Sequence, residues 1–266
     1  MDIQAVDQFA QQIIKEAGQR IRAAFSYDLE VETKSSDSDL VTNVDRETEL
    51  FFIEKIKQFD ATHRVIAEEG MGEQATDLSG VVWIIDPIDG TMNFVKQHRH
   101  FMISVGILID GVGKLGYIFD VMREDLFHAI AGEGAWYNGS PLRKLEPLTI
   151  EEAVIGINAR WVTENKYVDY KKISKLVRTV RGTRSYGSAA MEIAFVVSGK
   201  LDAYMSMRLA PWDIAGGVII ANEVGAVTST LSGEPLSFLQ SNTFIIANPS
   251  IHPVLLDKYV DVLPRV

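Results

Sequence analysis

The chain contains no cysteine. That excludes a disulfide framework, a thiolate metal site and a cysteine nucleophile. It has no long apolar run either. The longest, around 101–109, is far short of the ~20 residues a membrane-crossing helix needs. There is no cluster of Lys or Arg, and the net charge is −10. General nucleic-acid or anionic-membrane binding is therefore not expected. An anionic substrate stays possible, because a bound cation inverts the local charge. The opening segment MDIQAVDQFAQQIIKEAG has an acid at position 2 and no apolar h-region, so it does not read as a secretory leader. A soluble, cytoplasmic protein is the expectation.

What is present is enough for a large core: 266 residues, 47% of them hydrophobic. Apolar residues at helical spacing (Ile3, Val6, Phe9, Ile13, Ala17, Ile21) predict an amphipathic helix over about 3–25. A strand over 29–33, a polar loop over 34–39, a helix over 45–59 and a short strand over 64–67 follow. Residues 101–135 read as an antiparallel meander, with Asp110-Gly111 as a hairpin turn and Asn138-Gly139 as another. The text changes character near 141–149. Beyond it we read strands at 153–157, 201–207, 226–229 and 242–247. The helices there fall at 166–180, 189–198, 212–224 and 252–262. Pro211 sits in the favoured first turn of the third. Strands and helices mix without strict βαβ alternation. The expected class is α/β, a layered α-β-α-β-α sandwich of two subdomains, residues 1–145 and 146–266.

One stretch organises the rest. Val81-Val82-Trp83-Ile84-Ile85 is a run fit for a strand buried on both faces. It ends on two aspartates, Asp86 and Asp89, with Pro87 expected to stop the pairing. Gly90 permits a tight turn, and Thr91 reads as the N-cap of a helix. Carboxylates suit a hard cation such as Mg²⁺, and helix-start amides suit phosphate. Other acids lie at element ends: Glu68-Glu69 after a strand, Asp45 at a helix start, and Asp213 in the first turn of the Pro211 helix. Each alone is an ordinary helix-start acid; the set points to metal-assisted phosphate chemistry.

Other motifs point elsewhere with less support. Asp-Pro-Ile-Asp-Gly-Thr has two residues between its aspartates, where the aspartyl-nucleophile phosphatase motif has one. Asp37-Ser38-Asp39 lacks the glycine of an EF-hand loop, since Thr42 stands there. His98 and His100 read as a surface pair, Gly132-Glu133-Gly134 as a turn, and Tyr186-Gly187-Ser188 lacks the flanking glycines of a nucleophile elbow.

The chain resembles the inositol monophosphatase family of Mg²⁺-dependent, lithium-sensitive phosphatases over essentially its whole length. The resemblance rests on WIIDPIDGTMNF, on Pro211-Trp212-Asp213-Ile214-Ala215-Gly216-Gly217 with Glu223-Val224-Gly225-Ala226, on Ala67-Glu68-Glu69, and on Asp39-Leu40-Val41-Thr42-Asn43-Val44-Asp45. It implies a phosphoric monoester hydrolase binding two to three Mg²⁺, commonly a homodimer. Glu69, Asp86 and the Ile88 carbonyl would hold one ion, and Asp86, Asp89 and Asp213 a second. A third, weaker ion would lie near Glu69. Thr91 and Asp45 would activate water, with the Gly90 and Thr91 amides on the phosphate. Lys34 falls in the family's mobile loop. The leaving group would meet Asp89, Asp213 and the Gly187-Ser188-Ala189 turn.

Inositol-selective members carry a glutamate seven residues before the second-motif aspartate, where this chain has Ser206. Arg208 nearby could meet a second phosphate or be a solvated surface charge. Substrates of the same class would be fructose 1,6-bisphosphate, NADP(H) and adenosine 3′,5′-bisphosphate. A non-catalytic binding protein on the same scaffold is the reading from another class.

Overall fold

The computed structural model describes residues 2–26, 30–33, 40–74 and 76–263. Lys34 lies outside them. The first half runs α1 (Ile3–Ala24), β1 (Val31–Thr33), β2 (Leu40–Thr42), α2 (Asn43–Phe59), β3 (Arg64–Ala67), β4 (Val81–Asp89) and α3 (Thr91–Gln97). The meander β5 (Met102–Ile109), β6 (Val112–Asp120), β7 (Asp125–Ile130), β8 (Gly134–Tyr137) and β9 (Ser140–Pro141) completes it. The second half runs β10 (Val154–Ile157), a 3₁₀ turn (Ala159–Val162), α4 (Tyr170–Thr179), β11 (Gly182–Arg184), α5 (Ala189–Val197) and β12 (Ala203–Leu209). It ends with α6 (Pro211–Val224), β13 (Val227–Ser229), β14 (Asn242–Ala247) and α7 (His252–Lys258).

Two large sheets carry the molecule. One has the order β3-β4-β5-β6-β7-β8-β9, the other β11-β10-β12-β14-β13. In the first, β3 and β4 run parallel and the later pairs antiparallel. The meander turns form as the sequence predicts: Asp110 and Gly111, like Asn138 and Gly139, all have positive φ, the signature of a type I′ hairpin.

Alternation along β4 and β5 explains the layers. Trp83, Ile85, Val105 and Ile107 join α1 and α2 in one hydrophobic cluster. Val82, Ile84 and Leu108 face the other way, onto Ala215 of α6. Helices α5 and α6 fill the space between the sheets, where Ile118 and Phe127 meet Ile193, Ile220 and Phe244. Helices α4 and α7 cover the far face of the second sheet with Ile173, Leu176 and Leu255. The layers are thus helix, sheet, helix, sheet, helix, an α/β sandwich whose middle helices come from the second half and pack against strands of both. Phe101 and Phe127 are buried in these cores. No helix among the described residues is long and apolar enough to cross a membrane.

Some elements differ from the sequence reading. Helix α4 starts at Tyr170 rather than near 166, because the Asp169 side chain accepts from the Lys171 amide and caps it there. Helix α7 stops at Lys258, as Val262 turns away to bridge with Val168. Pro87 does not end β4, which continues to Asp89. Instead the pairing slips: Asp86 faces Ser104, but Asp89 faces Met102. Three steps on β4 match two on β5, a bulge of one residue at the proline, which has no N–H to give the ladder.

Candidate active site

That bulge builds the site. On a regular strand, residues three apart point to opposite faces. The extra residue re-aims one of them, so Asp86 and Asp89 share a corner. Both are buried, at 1% and 7% exposure. Asp86 Oδ1 accepts from the Ile88 amide at 3.0 Å. Asp213 arrives from the other half, in the first turn of α6, where its Oδ2 accepts from the Ala210 amide at 2.8 Å. One carboxylate oxygen from each of Asp86, Asp89 and Asp213 lies within 4.8 Å of the others.

Asp213 gets there because α6 lies unusually close on the first sheet. A Cβ on Gly216 would sit 2.6 Å from the Tyr117 carbonyl oxygen and 2.7 Å from that of Val105. One on Gly106 would sit 2.7 Å from atoms of Ala215. Ser104 Oγ then donates to the Trp212 carbonyl at 3.0 Å, next to Asp213.

Electrostatics mark the corner as strained. Burial pushes Asp86 well above the carboxylate range, and the charges of Glu68, Asp89, Asp213 and Asp45 push it further. Asp89 is raised to about 6 by burial, against the pull of hydrogen bonds from Ser188, Ala190 and Ala189, with Glu68 adding to the rise. At an effective dielectric of about 20, two carboxylates ~5 Å apart repel by roughly 3 kcal/mol. Oxygen-only donors under that repulsion suit a hard divalent cation.

Glu68 is the glutamate whose charge is felt at both Asp86 and Asp89; the resemblance implies Glu69 as the ligand. The charge of Glu69 bears on Arg46, and the Glu69 amide donates to Glu49 at 2.7 Å. Ala67 pairs with Ile85 in a parallel ladder, which carries Glu68 towards Asp86. Glu49, fully buried, anchors the turn by also accepting from the Met71 amide at 2.7 Å and the Gly72 amide at 3.2 Å.

Asp45 and Thr91 lie side by side. Thr91 Oγ1 donates to Asp45 Oδ1 at 3.3 Å and to the Ile88 carbonyl at 3.1 Å. Asp45 is buried and its other oxygen accepts from the Thr42 amide at 2.9 Å and the Thr42 hydroxyl. Thr91 is the first residue of α3 rather than its cap; Gly90 holds the cap position with φ 97°. A side chain on Gly90 would press on Ser188 Cβ at 3.1 Å and on the carbonyls of Gly187 and His100 at 3.3 Å, so glycine serves both the turn and the close approach.

The Gly187-Ser188-Ala189 turn is brought in, and part of its work is to hold Asp89. Ser188 caps α5. Its hydroxyl donates to Asp89 Oδ2, and the Ala189 and Ala190 amides donate at 3.2 and 2.7 Å. The turn, with Ser206, Asp89 and Asp213, also lines a cavity of about 250 Å³ beside the aspartates. Ser206 is buried, its hydroxyl donating to the Arg208 carbonyl at 3.3 Å. Arg208 itself is exposed and lies outside that lining.

Two residues at the site were missed from sequence. Asn93 joins the halves by donating to the carbonyls of His100 at 2.8 Å and Tyr186 at 2.7 Å. Glu192 lies under the turn, accepting from the Tyr186 amide at 2.8 Å. Burial raises it to about 7, and its Oε2 has no hydrogen-bond partner among the described residues. An acid in the otherwise apolar helix Ala-Ala-Met-Glu-Ile-Ala-Phe-Val-Val was the signal available for it.

Known proteins of this build match along the whole molecule. The sequence profile of the inositol monophosphatase family matches residues 2–263. The chain is 51% identical over 255 residues to the inositol-1-monophosphatase of Bacillus subtilis, covering 96% of each chain. It is 36% identical over 238 residues to the fructose-1,6-bisphosphatase/inositol-1-monophosphatase of Thermotoga maritima, covering 89% of this chain and 87% of that one. Among solved structures, an IMPase/NADP phosphatase complexed with Mg²⁺ and phosphate superposes with a TM-score of 0.89 at 29% identity, over 96% of this chain and 95% of that one. With matches of this extent, the chain belongs to the inositol monophosphatase family, phosphatases that hydrolyse phosphomonoesters.

Proposed function

We propose that this chain is a Mg²⁺-dependent phosphomonoesterase that hydrolyses a small phosphorylated polyol by in-line attack of water, inositol 1-phosphate first among its substrates. The convergence of Asp86 and Asp89 with Asp213, from two halves of the chain and within 4.8 Å, is the observation that carries this reading. Glu69, Asp86 and the Ile88 carbonyl would hold one Mg²⁺, and Asp86, Asp89 and Asp213 a second. A third, weaker ion would bind at the Glu68-Glu69 edge. When bound, such ions make water more acidic and stabilise charge on the phosphoryl and leaving oxygens.

The chain's own groups supply the positioning. Asp45 fixes the Thr91 hydroxyl, and the two orient the attacking water and take its proton. The amides of Gly90 and Thr91 hold the phosphate. Ser188 and the first amides of α5 keep Asp89 in place. EDTA should reduce phosphate release from inositol 1-phosphate by a hundredfold or more, with Mg²⁺ restoring it. Full activity in EDTA would overturn the reading, and so would a chain that binds such esters without turning them over.

Broad specificity fits the position of Ser206, which brings no charge of its own to the leaving-group side. Fructose 1,6-bisphosphate, NADP(H) and adenosine 3′,5′-bisphosphate are the further substrates of this reading, in line with the activities in the names of two of its relatives. Ser206→Glu should raise the preference for inositol 1-phosphate over fructose 1,6-bisphosphate about tenfold, since charged hydrogen bonds contribute ~1.5–3 kcal/mol. An unchanged ratio of kcat/KM removes Ser206 from specificity. A cytoplasmic homodimer completes the proposal and rests on family membership.

A further inference from the structure

We infer that Arg160 forms a subsite for a second phosphate on the leaving group, so that small bisphosphates are favoured among the substrates of the phosphatase reading, on which this inference rests. The cavity beside Asp89 and Asp213 is bounded by acids and neutral groups, and Arg160 is the one Lys or Arg among its described lining residues. It stands on the 3₁₀ turn Ala159–Val162, capped by the Asn158 side chain, which accepts from the Arg160 amide at 3.0 Å. The guanidinium lies over the Trp161 ring, 5.9 Å from its centroid. That ring is in turn held edge-on against Tyr167, at 5.6 Å.

Among the described residues no carboxylate pairs with Arg160, so an incoming anion displaces no internal partner. Ser206 and Tyr204 also line the cavity, and neither competes for the guanidinium with a negative charge. A leaving group held there by its scissile phosphate at the aspartates can point a second phosphate outward to Arg160, whose planar fork matches phosphate oxygens. The exposed Arg208, closer to Ser206 in sequence, lines no part of this cavity.

The test compares fructose 1,6-bisphosphate with myo-inositol 1-phosphate in wild type, Arg160→Ala and Arg160→Lys. Binding is read by calorimetry with Ca²⁺ in place of Mg²⁺, and turnover with Mg²⁺. Arg160→Ala should weaken bisphosphate binding and raise its KM about tenfold, with inositol 1-phosphate within twofold and kcat on both unchanged. Arg160→Lys should recover much of the loss, and added NaCl should shrink the difference, as an exposed pair requires. Equal effects on the two esters, no effect, or wild type that does not bind the bisphosphate each overturn the subsite. Absence of phosphate release by wild type in Mg²⁺ overturns the phosphatase reading instead; the binding difference still decides Arg160.

Discussion

Asp86→Asn is expected to lower phosphate release by about a thousandfold or more while leaving the chain folded. Asparagine keeps the shape, and its carbonyl can still accept from the Ile88 amide, as Asp86 does. What is lost is one negative charge at a point where the proposed ions both touch it. Metal assistance contributes several kcal/mol to a phosphoryl-transfer barrier, and about 4 kcal/mol is a thousandfold in rate. The same change should stabilise the metal-free protein. Asp86 is raised in the folded state by burial and by the charges of Glu68, Asp89, Asp213 and Asp45. A carboxyl raised on folding gives stability at low pH that is lost as pH climbs past its unfolded value near 4.

In EDTA, then, the melting temperature of Asp86→Asn should exceed that of wild type. The gap should widen as pH rises from about 4 towards 7. Each kcal/mol of relief corresponds to about 2–4 °C for a chain of this size. Phosphate release and thermal melts in EDTA and in Mg²⁺ measure both. Activity within tenfold of wild type would remove Asp86 from the reacting centre.

Gly216→Ala is expected to reduce activity about a hundredfold and to destabilise the fold, although alanine is the better helix former by ~1 kcal/mol. The added methyl would meet the Tyr117 and Val105 carbonyls at 2.6 and 2.7 Å. Both belong to central strands of the first sheet, so the helix must move rather than the strands. Overpacking of this kind costs about 1–3 kcal/mol, a fall of roughly 2–12 °C. Helix α6 carries Asp213 three residues before Gly216, so lifting it displaces the carboxylate from the Asp86 and Asp89 corner. A misplacement near 1 Å costs about a hundredfold in rate. A variant that melts lower but keeps wild-type kcat would show that this contact does not set Asp213. Unchanged melting and kcat would show that α6 has room to spare.

Much of the architecture was legible because its signals are local. Helix α1 shows in the spacing of Val6, Ile13, Ala17 and Ile21, all buried. The central strand shows in its unbroken apolar run, needed because Trp83 and Ile84 face different helix layers. The hairpins show in Asp110-Gly111 and Asn138-Gly139. Helix starts were less secure: α4 begins where Asp169 caps it, and a polar run of Lys, Tyr and Asp gave no periodicity to place that point.

Composition, periodicity and short motifs by themselves determined the α/β class, the elements that end in carboxylates, and the family. Tertiary structure alone decided which acids meet. The parallel register of β3 on β4 carries Glu68 towards Asp86, and its charge bears on Asp86 and Asp89. Asp89 turns to the same spot as Asp86 because a bulge adds one residue. Arg160 borders the cavity, and Arg208 does not. Local preferences fix the conformation of neighbours along the chain. The meeting of groups more than a hundred residues apart depends on register and on how closely helix and sheet pack, and no short window of sequence records either.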